Sequence, residues 1–166
     1  MATVIELCDQ GVLTKLDPEF DDPRQQELRR IYLGQKLVGW INDTLPNLES
    51  DRGLETSPEG QFDELIAIFC SGDTLTYDWQ FKPLNYVEDG IWELKTADLR
   101  IFGWFPEVDC FIGVIADTKA RLIQHQLVAP YCNVEVAPFR KALDLDEPKF
   151  IAGTDPHAVV TDYDFP

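Results

Sequence analysis

Positive charge is what this sequence has least of: 14 Lys and Arg stand against 30 Asp and Glu in 166 residues, a formal net charge of -16. Non-specific adhesion to nucleic acid needs clustered cations that displace counterions, and the overall balance argues against it. Long apolar runs are also missing, so no segment is expected to cross a bilayer. The N-terminus lacks the basic-then-apolar layout of a secretory signal, and the expectation is a cytoplasmic protein with no membrane partner. Only two histidines occur, His125 and His157, neither in a motif that would partner a cysteine nucleophile. The four cysteines (Cys8, Cys70, Cys110, Cys132) never form a C-x-x-C pair, which argues against a local zinc knuckle. They are expected to be free thiols acting as small buried hydrophobes in a reducing compartment. No glycine precedes a Lys-Ser/Thr pair, and H-x-x-x-H and G-x-S-x-G are absent. The acidic groups Asp21-Asp22, Glu88-Asp89 and Asp144/Asp146/Glu147 read as loop and turn residues rather than a metal or glycosidase pair. No metal or cofactor is expected.

What the chain does have is a hydrophobic content of 45%, enough for one well-filled core, and a single domain over residues 1–166 is expected. Residues 90–116 organise it. Ile91 to Lys95, Leu99 to Phe105 and Cys110 to Ala116 are rich in β-branched and aromatic residues and are separated by short polar breaks, the pattern of three consecutive strands. Both faces of these strands are substantially apolar, so the sheet must be covered on both sides.

Read in order, Val4 to Leu13 is expected to supply a first strand within residues 1–15, and Asp17 to Asp22 a loop. Asp22-Pro23 resembles a helix start, and Leu28, Ile31, Tyr32, Leu37, Val38, Ile41 and Leu45 keep helical spacing up to a stop at Pro46. On that helix Arg24, Arg29, Arg30 and Lys36 would form a solvated face. Thr56-x-x-Glu59 has the form of a capping box for a second helix carrying Phe62, Leu65, Ile66 and Phe69 and ended by Gly72. Residues 22–72 thus read as a helical hairpin lying on one face of the sheet. Leu75, Tyr77, Trp79 and Phe81 then alternate with polar residues as a further strand, which makes residues 74–116 the sheet. Asp117-Thr118 caps a third helix to about Gln126, Pro130 ends it, Val134 to Leu143 is a short further helix, and the tail is an extended arm packing through Phe150, Ile151, Val159, Val160, Tyr163 and Phe165. The expected fold class is α+β: an antiparallel sheet of four or five strands, the helical hairpin on one face, and an extra C-terminal helix and arm over residues 117–166.

The charge is uneven. Residues 76–126 carry five Lys/Arg against eight Asp/Glu, whereas residues 1–75 carry six against fifteen. The sheet is nearly balanced and its flanks are acidic. Within the sheet, Glu93 and Lys95 share one face of a strand, and Arg100 stands on the next strand in a run that is otherwise apolar from Leu99 to Phe105. A charge there must be paired or exposed in a groove. Either Arg100 and Glu93 form a cross-strand ion pair on a solvated strip, or Lys95, Arg100, Lys119 and Arg121 form a cluster that binds a phosphate.

The succession of two helices, Gly90-Ile91-Trp92-Glu93-Leu94-Lys95, Leu99-Arg100-Ile101-Phe102-x-x-Phe105 and the apolar strand Phe111 to Ala116 resembles the RelE/HigB-type toxins of toxin–antitoxin modules, especially their phage-derived branch, over about residues 75–116. The resemblance implies a small antiparallel-rich sheet with two helices packed on it and, in active members, metal-independent mRNA cleavage, usually on the ribosome. The 2′-hydroxyl attacks the adjacent phosphate and leaves a cyclic phosphate. Arg100 matches the arginine of the family's Arg-Ile-Phe/Tyr strand, and Glu93 and Lys95 match its Trp/Arg-Glu-Leu-Arg strand. Lys119 and Arg121 would add phosphate contacts, with His125 and Tyr86 as candidate acid/base groups and an antitoxin as partner. Where the family carries a Lys-rich segment after the last strand, this chain has Ala116-Asp117-Thr118-Lys119-Ala120-Arg121. The other reading is a catalytically inactive acidic protein on the same scaffold that binds a basic protein or mimics nucleic acid.

Overall fold

The computed structural model describes residues 1–166. In chain order it comprises α1 (Val4–Asp9), β1 (Leu13–Lys15), β2 (Arg30–Gly34), α2 (Gln35–Asp43), α3 (Pro58–Ser71), β3 (Leu75–Thr76), β4 (Phe81–Pro83), β5 (Ile91–Lys95), β6 (Leu99–Glu107), β7 (Cys110–Thr118), α4 (Lys119–Gln124), α5 (Val128–Pro130), a π-helical segment (Tyr131–Val136), α6 (Ala137–Ala142), α7 (Pro156–Val159) and β8 (Tyr163–Asp164). The class is α+β. No helix is long and apolar enough to cross a membrane.

The central meander is present, with β5, β6 and β7 antiparallel, Leu94 opposite Ile101 and Phe102 opposite Ile115. The sheet is larger than four or five strands: six lie in the order β1-β2-β7-β6-β5-β4, and β2 runs parallel to β7 in an otherwise antiparallel array. Strands β3 and β8 form a separate parallel pair.

Strand β2 replaces the first half of the expected long helix. Ile31, Tyr32 and Leu33 are apolar in succession because the two faces of the strand enter different cores, and their match to helical spacing is incidental. The helix starts only at Gln35. Asp22 accepts from the Arg24 backbone N–H and pairs with its guanidinium, closing a turn instead of opening a helix. The expected first strand is also displaced: Val4–Asp9 is helical because Thr3 and Glu6 form a reciprocal capping box, each side chain accepting from the other's backbone N–H. The cap of α3 falls one residue later than Thr56, on Ser57, whose hydroxyl accepts from Gly60 N–H; Pro58 follows at the first helical position, and Gly72 ends the helix in the left-handed region at φ 83°. Leu75 to Phe81 is two short strands broken by a turn with Asp78 at φ 70°. Pro130 does not end the helical course, because it lies in the first turn of a new helix where no N–H is required, and the backbone continues through the π-helical segment into α6.

Both faces of the sheet are covered. Leu37 of α2 and Phe62, Leu65, Ile66 and Phe69 of α3 pack with Trp92, Leu94, Ile101 and Phe105 in one core. On the other side Leu7, Leu122, Cys132 and Val136 pack with Tyr32, Ile91, Phe102, Trp104 and Ile112. Each fully buried large side chain contributes about 1.5 to 3 kcal/mol relative to exposure. Three cysteines are part of this packing, and burial pushes the thiols of Cys70, Cys110 and Cys132 up to about 12.

A register shift between Phe102 and Gly103 lets β6 cross β7 closely. A Cβ built on Gly103 would lie 1.9 Å from the Ile112 carbonyl oxygen. Gly103→Ala is therefore expected to destabilise the protein by about 2 to 3 kcal/mol, as a lowered urea midpoint, because backbone has to move to admit the methyl.

The C-terminal arm packs through Val159 and Val160, whereas Phe165 is exposed. Arg29 ties this arm to the rest. It was expected on a solvated helix face with Arg24, Arg30 and Lys36, yet it is 1% exposed. Its Nη1 donates to the carbonyls of Phe69 (3.0 Å) and Asp73 (2.9 Å), its Nη2 to that of Asp162 (2.9 Å), and its Nε lies 3.5 Å from the Asp109 carboxylate. The guanidinium thus joins the end of α3, the β6–β7 turn and the C-terminal arm.

Candidate functional site

The β5–β6 hairpin places Lys95 directly opposite Arg100. The three-residue loop between them is fixed by Gln61 of α3, which is buried among polar partners. Its Nε2 donates to Asp98 Oδ2 (2.7 Å), and its Oε1 accepts from Thr96 Oγ1 (2.8 Å) and from the Asp98 N–H (3.0 Å). A buried amide satisfied in this way is rigid, since breaking one bond strands the others.

Beside this hairpin lies a groove of about 720 Å³ into which three cations converge: Lys95, Arg100 and Arg52. Trp79, 66% exposed at the tip of the β3–β4 turn, lines it as well. Arg100 donates through Nη1 to the carbonyls of Thr96 and Leu99, and Lys95 Nζ donates to the Asp78 carbonyl at 2.6 Å. Those bonds fix both head groups beside the groove they line and leave donors over. Glu55 and Glu64 line the same groove, so its positive charge is local.

Neighbouring charge shapes the titration of this set. Burial lowers the Lys95 ammonium from its ordinary value, Arg100 lowers it further, and Glu93 opposes both. Burial likewise lowers Arg100, with Glu93 opposing and Arg52 adding to the shift. A lysine shifted downward by burial and a like charge can give up and retake a proton nearer neutrality.

Glu93 shares the face of Lys95 but is 5% exposed, so the solvated strip expected here does not exist. Nor do Glu93 and Arg100 make a direct ion pair, since the guanidinium turns to the hairpin carbonyls. Burial pushes the Glu93 carboxyl up, with Arg100, Lys95 and Lys82 opposing in that order. Because its folded pKa lies above the unfolded one, the folded state holds the proton more tightly. Its contribution to stability is present below the unfolded pKa and is lost as pH rises through the folded value. Urea titrations between pH 4 and 8 are expected to show wild type losing stability relative to Glu93→Gln as the pH rises across that window.

The remaining candidates do not join the groove. Arg121 is held by Asp117, with Nε 3.1 Å from both carboxylate oxygens, and Tyr131 donates to the same carboxylate at 2.7 Å. This cluster lines a separate cavity with Trp40, Lys36 and Glu135. Burial and the Asp117 bond raise the Tyr131 phenol to about 12, so it stays a donor. Lys119 is exposed, and only its backbone N–H reaches the hairpin, donating to the Asp98 carbonyl at 2.8 Å. The phosphate cluster expected of Lys95, Arg100, Lys119 and Arg121 is therefore split. His125 is exposed at the end of α4, and Tyr86 is exposed, its phenol raised by burial and then by the charge of Glu93; neither lines the groove.

Three groove residues escaped the sequence reading. Arg52 is the only cation in the polar connection 47–57, and Trp79 was placed in a strand although it occupies a turn. Gln61 carried no signal beyond being a polar residue among the apolar positions of a helix. Comparison with known proteins returned no match: no family model, no curated protein and no solved structure aligns with the chain.

Proposed function

We propose that the protein is a RelE/HigB-like toxin-fold endoribonuclease that cleaves mRNA without a metal ion in the groove at the β5–β6 hairpin. The observation that carries this reading is the convergence of Arg52, Lys95 and Arg100 beside an exposed tryptophan in a chain otherwise dominated by carboxylates. A sheet of mostly antiparallel strands with helices α2 and α3 before its central meander agrees with the fold that the resemblance implies.

In this reading Trp79 stacks on a base, a contact that tolerates any sequence. Arg52 and Arg100 grip the scissile phosphate, with Arg100 held in place by the two hairpin carbonyls it serves. Lys95, shifted downward, takes the proton from the 2′-hydroxyl, whose oxygen attacks the adjacent phosphorus. The P–O5′ bond breaks, leaving a 2′,3′-cyclic phosphate and a 5′-hydroxyl that recovers a proton from solvent. Arg100 and Arg52 neutralise the charge that builds on the phosphoryl oxygens. Glu93 touches neither group and acts through its charge alone, opposing the downward shift of both Lys95 and Arg100. An antitoxin that covers this groove is the partner such a protein needs.

Expression in a bacterial host is the direct test. Induction is expected to arrest growth and translation in wild type and to be harmless in Arg100→Ala made at equal soluble level. Normal growth with abundant soluble wild-type protein would sink the proposal.

One observation favours the second reading, an inactive acidic binder. A groove of about 520 Å³ between the Asp17–Asp21 loop and α3 has a floor of Leu45, Phe62 and Ile66 and is lined by Glu19, Asp21, Glu59 and Asp63 with no Lys or Arg. Burial raises the Asp63 carboxyl, and Glu59 and Glu19 add to the shift. Such a surface suits a basic amphipathic segment. On this reading Glu59→Lys with Asp63→Lys, and not Arg100→Ala, removes any growth phenotype.

A further inference from the structure

Residues 127–166 contain only three cations, Arg140, Lys141 and Lys149, and all three line one cleft of about 590 Å³ between α6 and the segment Glu147 to Phe150. Arg140 is the unusual member. Its side chain is 8% exposed, and its guanidinium lies 3.7 Å over the ring of Phe150. Inside the protein it makes a single hydrogen bond, from Nη1 to the Asp89 carbonyl at 3.0 Å. Glu88 is 4.0 Å from Nη2, close enough to balance charge and too far to accept a hydrogen bond. A guanidinium has five donors, and taking it out of water is costly unless they are used. No protein group uses the donors left over, and Arg140 lines the cleft.

The walls are built rather than loose. Phe150 packs on Gly90, where a Cβ would come within 2.3 Å of its ring. The Lys149 carbonyl accepts from Trp104 Nε1 at 2.8 Å, and the Ile151 N–H donates to the Phe105 carbonyl at 2.9 Å, so the segment is bolted to β6 on both sides of Phe150. Lys149 Nζ donates to the Lys141 carbonyl at 2.9 Å, bringing its charge across to α6.

We propose that this cleft binds a compact oxyanion, the carboxylate or phosphate of a small molecule, with Arg140 as the fixed fork and Lys149 and Lys141 supplying the remaining positive charge. One face of Arg140 is covered by an aromatic ring and its donors are held in plane, the arrangement that recognises two oxygens of one planar or tetrahedral anion. The recessed position of the guanidinium admits a small group and not a continuous polyanion. The site is thus independent of the RNA groove.

Trp104 is the reporter, because its indole N–H bonds to the backbone of Lys149. The indole cross-peak, assigned by its loss in Trp104→Phe, is followed in ¹⁵N-labelled protein during titration with inorganic phosphate and, separately, with succinate, at ionic strength held constant by sodium chloride. The expected result is a saturating displacement in at least one arm, with the affinity reduced at least tenfold in Arg140→Gln and in Lys149→Gln and unchanged in Arg100→Ala. Saturation by phosphate alone assigns a phosphate, by succinate alone a carboxylate. Should Arg140→Gln fail to fold, Lys149→Gln decides. A displacement that never saturates in either arm, or that Lys149→Gln leaves intact, overturns the proposal.

Discussion

Arg29→Ala is expected to lower stability by about 3 to 5 kcal/mol, the range found when one partner of a buried ionic cluster is removed. The substitution removes a charged donor from the carbonyls of Phe69, Asp73 and Asp162, of which Phe69 and Asp162 keep the backbone N–H groups of Gly72 and Leu75, and leaves the Asp109 carboxylate without its cation. A hydrogen bond from a charged donor is worth about 1.5 to 3 kcal/mol, and less where the acceptor keeps a second partner. Arg29→Met restores much of the volume but none of the donors, so it should fall between wild type and alanine. Arg29→Lys cannot reach the end of α3 and the C-terminal arm together with one point charge. Urea unfolding followed by tryptophan fluorescence measures all three, and a loss under about 1 kcal/mol for alanine would show that the arm and α3 hold without the guanidinium.

Arg100→Ala is expected to reduce RNA cleavage by about 10²- to 10³-fold, the effect of deleting one preorganised donor aimed at developing charge. The fold should survive, since the guanidinium supports only the Thr96 and Leu99 carbonyls, bonds worth about 1 kcal/mol each. Arg100→Lys should recover part of the rate, as a charge without the fork. Glu93 adds a sign to the pH profile. Cleavage rises with pH as Lys95 loses its proton, and because Glu93 opposes the lowering of Lys95, Glu93→Gln should move that rising limb to lower pH. A limb that stays in place or moves upward would remove Lys95 from the role of base.

The meander was legible in the sequence because β5, β6 and β7 are neighbours along the chain as well as in space, so their boundaries are written in local runs and short breaks. Helix α3 was legible for the same reason, its apolar stripe ending at a glycine that adopts the left-handed conformation. Strand β2 was not, because its parallel pairing with β7 joins residues about eighty positions apart, and a strand buried on both faces has no alternation to betray it. Helix α1 was misread because two apolar runs outweighed a capping box that only Thr3 and Glu6 announce.

The candidate site divides in the same manner. Lys95 and Arg100 were found because they face each other across one hairpin, whereas Arg52, Trp79 and Gln61 reach it from a connection, a turn and a helix that the fold brings together. Arg29 was mistaken for a surface charge because nothing in the residues around it announces that α3, the β6–β7 turn and the C-terminal arm all end on its guanidinium.

The most direct measurement is of RNA ends. Purified protein is incubated with single-stranded RNA in the presence of a chelator, and in parallel with mRNA on translating ribosomes, and the fragments are analysed by end chemistry. The proposed function predicts fragments ending in 2′,3′-cyclic phosphate and beginning with a 5′-hydroxyl in at least one of the two reactions, and their absence with Arg100→Ala. Intact RNA in both reactions, or equal cleavage by wild type and Arg100→Ala, would contradict it.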